Sequence, residues 1–214
     1  MNNDAINIIW HDEILRVAFN YLIEHGTDNL NPYHNINHLL TTVKNAKIAA
    51  EFEGLSTYEK RHLYFAALMH DVDHSAGKTN DTQNVIRSKS TVLKILVDRK
   101  ITEIDINLIN DIIDATEYPY VIPFEELTHI QKIMRDIDLS QTFESNWVHQ
   151  IIYGIGIELH VNFDSMIIIQ RKFANNVKYN TNWGRVTLDP LRYKHIELLD
   201  KLIEIRGLGG FIDN

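Results

Sequence analysis

Phe65-Ala66-Ala67-Leu68-Met69-His70-Asp71-Val72-Asp73-His74 decides how this chain is read. Apolar residues run without a break from Phe65 to Met69 and then meet an imidazole and a carboxylate side by side. Upstream, Ser56 with Glu59 three residues on forms a capping box, so the stretch reads as a helix that opens there and ends buried at His70. Burying an imidazole beside a carboxylate is costly unless something compensates both groups. A divalent cation does so, and imidazole nitrogen with carboxylate oxygen is a donor set that zinc, manganese, iron or magnesium accepts.

Outward from that helix, apolar residues recur at helical spacing nearly everywhere and period-two alternation is scarce, which predicts an all-α, compact multi-helix fold. Ile6, Trp10, Ile14, Val17, Ala18 and Tyr21 predict a first helix that Gly26 stops. Ile36, Leu39, Leu40, Val43, Ala46 and Ala50 predict a second, running to about Glu53-Gly54. Beyond His70, helices are expected over 85–97 and 104–115, then one from Pro123 through Ile137. Three more are expected over 147–161, 165–178 and 190–205. Gly154 and Gly156 lie inside a helical pattern and precede no phosphate-type turn, so they signal close helix packing. No repeat, low-complexity linker or break divides residues 1–214, which read as one domain, and the tail Gly207-Leu208-Gly209-Gly210 is expected to fray.

The chain is 44% apolar and 23% charged, the composition of a globular protein with material for a full core. It has no cysteine, which excludes a disulfide scaffold and thiolate metal sites and favours a reducing compartment. The start Met1-Asn2-Asn3-Asp4 has an acid and no Lys or Arg before Trp10, unlike a signal peptide. No apolar run approaches the roughly 20 residues of a membrane helix, so a cytoplasmic location without a membrane partner is expected. The formal charge of −8 argues against a nucleic-acid polymer as partner. A small phosphorylated molecule stays open, because a bound metal reverses the local field. Oligomeric state is not legible.

Two further segments carry metal-type side chains. Tyr33-His34-Asn35-Ile36-Asn37-His38 puts two histidines four residues apart, on one face if the helix begins at His34. His70 and His74 repeat that interval, with Asp71 beside the first. One such pair is common on surface helices by chance; two, one of them following a buried helix, carry more. Arg135-Asp136-Ile137-Asp138-Leu139-Ser140 adds two carboxylates within an apolar pattern, which read either as ligands or as a helix-end acid pair facing solvent.

The order Tyr-His-Asn-x-x-His, then His-Asp-x-x-His followed by Gly77 and Asn80, then Asp-Leu-Ser spans roughly residues 30 to 142. It resembles the HD-domain metal-dependent phosphohydrolases, most of all the catalytic core of the cyclic-nucleotide phosphodiesterases and small bacterial or phage HD phosphohydrolases. The resemblance implies an HD-type helical fold and hydrolysis of a phosphomonoester or phosphodiester in a nucleotide-like small molecule. It implies one or two divalent ions (Mn, Mg, Zn or Fe), the first held by His38, His70, Asp71 and Asp138. Asp71 would bridge to a second ion held otherwise by water. Asp138 is preferred to Asp136 because it directly precedes Leu139-Ser140, as the family's metal aspartate does. His34 matches the general-acid histidine, a role that suits an imidazole with a pKa of about 6.5. His74 matches a histidine that holds water at the second ion, or is itself a ligand. Tyr33, Asn80, Thr116, Glu117 and Gln141 resemble substrate-binding positions. Asn80 stands one residue further from His74 than the family's Asn, and Gln141 replaces an Asn.

Two other classes compete. A mixed-valent di-iron HD oxygenase needs extra histidines between the HD pair and the last aspartate, where only His74 and His129 stand. Non-catalytic HD-like sensor modules usually lose the ligands that this chain keeps. His11, His25, His62, His129, His149, His160 and His195 are expected to be surface or satisfied core residues, and Trp10, Trp147 and Trp183 core. Lys78, Arg87, Arg171 and Lys172 are isolated bases, expected to be solvated.

Overall fold

The computed structural model describes residues 3–25 and 30–211. The apolar periodicity near the start covers two helices, α1 (Asn3–His11) and α2 (Glu13–His25). Asp12 separates them: its Oδ1 accepts from Ile14 N at 2.9 Å and Leu15 N at 3.3 Å, capping a new helix. Gly26, expected as the stop, lies outside the described residues. Ala5, Ile9, Leu15, Ala18 and Leu22 form the buried seam. Trp10 is half exposed, contrary to expectation, because one residue past Ile9 turns it about 100° off that seam.

Asn35 caps α3 (Ile36–Phe52), accepting from the amides of Asn37 and His38. Ser56 and Glu59 form the expected capping box of α4 (Thr57–Met69), which ends at His70. α4 is the central helix and packs against α2, α3, α6 (Ile106–Asp114) and α7 (His129–Leu139). Leu63 and every residue from Phe65 to Met69 are fully buried, which explains the unbroken apolar run. α5 (Asp81–Asp98) opens on an Asn80 cap. Pro123 begins only a short 3-10 turn, Phe124–Glu126, and α7 starts later because Thr128 and Gln131 make a fresh capping box.

The last third differs in detail from the expectation. Val148–Ile155 is wound as a π-type helix running into α8 (Gly156–Glu158), followed by α9 (Phe163–Asn176). A second π-type turn, Gly184–Leu188, leads into α10 (Asp189–Ile205), which packs on α9. A Cβ on Gly154 would sit 3.2 Å from both Pro32 O and Tyr33 Cβ, so the glycine is there for close packing as expected. The 207–208 tail does not fray: Leu208 N donates to Ile203 O at 2.9 Å, and the Leu208 side chain packs on the core.

The fold is all-α, with no strand among the described residues. Among the described residues no single helix is long and apolar enough to cross a membrane. Val148–Glu158 and Phe163–Asn176 pass that test only together, across a bend of 109°.

Candidate metal centre

The C-terminal end of α4, the first turn of α3 and the end of α7 converge on one point. His38 Nε2 lies 3.2 Å from His70 Nε2, 3.1 Å from Asp71 Oδ2 and 3.5 Å from Asp138 Oδ1. His70 Nε2 lies 3.1 Å from Asp71 Oδ2 and 3.2 Å from Asp138 Oδ1. Donors about 2.1 Å from one cation sit roughly 3.0 Å apart at right angles and roughly 3.4 Å apart tetrahedrally, so these edges fit a shared ion. Both imidazoles are almost wholly buried.

The protons point the same way. His70 Nδ1 donates to Ala67 O at 3.1 Å, which leaves the Nε2 lone pair facing the cluster. His38 Nδ1 lies 3.0 Å from Gln141 Nε2, while the buried Gln141 Oε1 has no partner. The same Nε2 lies 3.0 Å from His38 O and 3.1 Å from Thr42 Oγ1, so the amide nitrogen faces the ring and holds His38 from behind. Two imidazole Nε2 atoms and two carboxylates face one another, an arrangement that a cation or protons on the rings can satisfy. Without a cation, burial pulls both imidazoles down, but Asp71 and Asp138 outweigh it and raise them. Burial likewise opposes ionisation of the two carboxyls, yet the imidazoles hold Asp71 well below the usual carboxylate range and Asp138 down to about 2. The group can therefore hold a metal ion.

His34 precedes α3 rather than opening it, because Asn35 is the cap and the helix starts at Ile36, two residues later. It still reaches the site, its ring 5.8 Å from that of His38 and its Nε2 4.0 Å from Asp71 Oδ2. Glu158 holds it there: Oε1 accepts from the amides of Tyr33 and His34 at 2.8 and 3.0 Å, and Oε2 accepts from His34 Nδ1 at 2.5 Å. Although burial opposes it, contact with His34 keeps the Glu158 carboxyl below its ordinary range. His74 stacks on His34 with ring centroids 3.6 Å apart. Its Nδ1 accepts from Ala76 N at 3.1 Å, and its Nε2 lies 2.7 Å from Asn84 Nδ2. His34, Asp71 and His74 form a second group able to hold a metal, sharing Asp71 with the first.

Both groups open into a cleft of about 1310 Å3, larger than most small-molecule sites. Tyr33, Asn80 and Thr116 line it, as expected of substrate-binding positions. Asn80 also caps α5, accepting from Gln83 N at 3.1 Å. Tyr33 packs edge-on to His34, and burial, with Asp138 and Asp71 nearby, raises its phenol far above the ordinary range. Glu117 and Gln141 are not among the lining residues. Glu117 is turned toward α5, where its Oε1 accepts from Thr82 Oγ1. Gln141 is fully buried behind His38 and also contacts Thr42 Oγ1, so it supports a ligand instead of facing a substrate. Of the isolated bases, Lys172 lines the cleft, Arg171 pairs with Asp200, and Arg87 is bonded to Asp73 O, Thr79 and Asn84.

Asp136 faces neither solvent nor the metal group. It is completely buried, and burial pushes its carboxyl up against the pull of donors from Asn180 and Thr181. Sequence reasoning missed Glu158, Asn84 and this task of Asp136. Glu158 is the single acid between Glu144 and Asp164, in an apolar stretch, and that isolation is the signal that could have marked it. Among the other histidines, His62 is a satisfied core residue: Nδ1 donates to Tyr58 O at 2.8 Å and Nε2 accepts from Asp105 N at 2.9 Å.

No protein-family model matches the chain, and no curated protein matches it.

Proposed function

We propose that the chain is a cytoplasmic, metal-dependent phosphohydrolase of the HD type, acting on a phosphoester of a nucleotide or related small molecule. One observation carries this reading: two buried imidazoles, each with Nδ1 against a fixed partner, turn their Nε2 atoms toward each other between two carboxylates. His38, His70, Asp71 and Asp138 would hold the ion, and His74 with Asp71 would support a second. A divalent cation there supplies a Lewis acid for a phosphoryl oxygen and lowers the pKa of water to the neutral range.

The chain's own residues supply the rest. Glu158 engages His34 Nδ1, so Nε2 is the atom free to meet a departing oxygen in the cleft. A proton given at that atom is worth about 10²–10⁴ in rate. Tyr33 packs against both His34 and His38 and keeps water from the inner side of the pair.

The test is a screen of cyclic, linear and modified nucleotides with Mn, Mg, Zn and Fe, followed by three variants. Asp71→Asn should abolish turnover, because Asp71 belongs to both candidate groups. His34→Asn should keep its metal, slow esters with poor leaving groups by about 10²–10⁴, and spare an activated nitrophenyl ester. Lys78→Ala, away from the cleft lining, should change neither. Full turnover in Asp71→Asn would sink the proposal.

A second reading has its own observation. His34 and His74 both lie within 4.8 Å of the Asp71 ligand atom, the histidine-rich second site that a mixed-valent di-iron oxygenase requires. Loss of one metal ion on mutating His34, with an iron EPR signal under oxygen, selects this reading over hydrolysis.

A further inference from the structure

Four hydrogen-bond donors surround the buried Asp136 carboxylate, and all come from one segment. Its carboxylate accepts from Asn180 N at 2.8 and 3.0 Å, Asn180 Nδ2 at 2.7 Å, Thr181 N at 2.8 Å and Thr181 Oγ1 at 2.7 Å. Gly184 closes the arrangement: a Cβ there would fall 2.3 Å from Asp136 Oδ2. Nothing but glycine lets that turn come so near. The segment so held, Val177, Lys178, Tyr179 and Asn180, lines the cleft. Asp136 stands two residues before Asp138 on α7, so a single turn of helix fixes both a metal ligand and the cleft wall.

The wall's chemistry narrows what it can face. Three basic residues other than histidine line the cleft: Arg135, Lys172 and Lys178. Arg135 is committed to the protein, with Nε donating to Ala115 O at 2.6 Å, Nη2 to Ile122 O at 2.8 Å, and its guanidinium over the Tyr120 ring at 4.1 Å. Two flexible lysines remain, against a surface of Tyr118, Tyr120, Phe124, Ile169 and Phe173. A row of phosphates would call for several fixed cations. Aromatic rings at the mouth of an apolar cleft instead favour a planar or apolar group.

We infer that Asp136 is a positioning residue that sets the 177–181 segment as the wall recognising the organic part of the substrate, a bulky uncharged aromatic or apolar group on a single phosphate. The inference rests on the phosphoester reading of the cleft. It assigns Asp136 no contact with substrate.

Binding of two uncleavable probes to the Mn-loaded protein tests it by calorimetry: methylphosphonate and 1-naphthylmethylphosphonate. Wild type should bind the naphthyl probe at least about tenfold more tightly, the gain expected from burying one aromatic group. Asp136→Asn should retain its manganese and its methylphosphonate affinity, lose about tenfold for the naphthyl probe, and exchange the Asn180 and Thr181 amides faster. No naphthyl preference in wild type overturns the inference. So does an equal loss for both probes, a loss of manganese, or an unchanged preference despite faster exchange. If Asp136→Asn does not fold, Thr181→Val removes one donor to the carboxylate together with the acceptor of Gly184 N, both ties of the same segment; about threefold selective loss supports the inference and none overturns it. Absence of phosphoester turnover in wild type counts against the hydrolase reading alone, since the probes are not cleaved in either case.

Discussion

Glu158 does for His34 what no neighbour in sequence does: it fixes ring and backbone from 124 residues away. His70 and His38 are oriented through their Nδ1 atoms by Ala67 O and the Gln141 amide, so each of the three histidines is aimed by a partner behind it. Glu158→Gln keeps the side chain's shape and removes its charge. It should lower turnover of esters with poor leaving groups by about 10–100-fold, with metal content unchanged. Metal analysis beside kinetics on both ester types checks this. An equal loss on the activated ester would make Glu158 a packing residue and nothing more. Gln141 and Asn84 follow the same logic, one behind His38 and the other against His74. The substrate-binding role expected for Gln141 fails because the residue is fully buried.

At the scale of elements, caps decide where helices begin and which side chains they present. Asp12 splits a continuous apolar pattern into α1 and α2, and Asn35 leaves His34 outside α3. The capping box of Ser56 and Glu59 and the fully buried run to Met69 deliver His70 at the end of α4, as the sequence alone suggests. After His70 the chain turns through Asp73 and Ala76 at positive φ to Gly77 at +80°. A Cβ on Gly77 would lie 2.2 Å from Glu158 O, so the HD turn and the end of α8 interlock there. Gly77→Ala should destabilise the protein by about 1–2 kcal/mol from the backbone conformation alone, and by more from the displaced Glu158. Gly54, at φ +70° with open space around it, is the control: Gly54→Ala carries only the backbone cost. Denaturant unfolding of the two variants gives the comparison, and equal losses would mean that the Gly77 contact relaxes freely.

At the scale of the whole molecule, α9 and α10 pack on each other and α10 reaches the Ser140–Phe143 turn that follows α7, and His195 on α10 lies inside that junction. It sits edge-on to Phe143 and Trp147 and 3.3 Å from Gln170 Nε2. Burial depresses its pKa to about 4. An unfolded histidine titrates near 6.5, so between those values the unfolded chain binds a proton that the native chain does not. Stability from this group is therefore full above about pH 6.5, falls as pH drops toward 4, and is level below; its size is on the order of 3 kcal/mol. Comparing unfolding free energies of wild type and His195→Gln from pH 7 to 4 measures it, and a difference constant with pH would refute it. Local chemistry made much of this protein legible in advance. Helical periodicity predicted an all-α fold because a buried stripe repeats within a few residues; His38, His70 and Asp71 stood out because their donor atoms suit a cation, while Asp138 was set above Asp136 only by its place before Leu139-Ser140 in the resemblance to HD phosphohydrolases. The tertiary structure alone decided which groups aim those donors and which wall faces the cleft. Glu158, Gln141 and Asp136 act on partners 124, 103 and 44 residues away, and a hydrogen bond across such a distance leaves no period or motif in the chain that makes it.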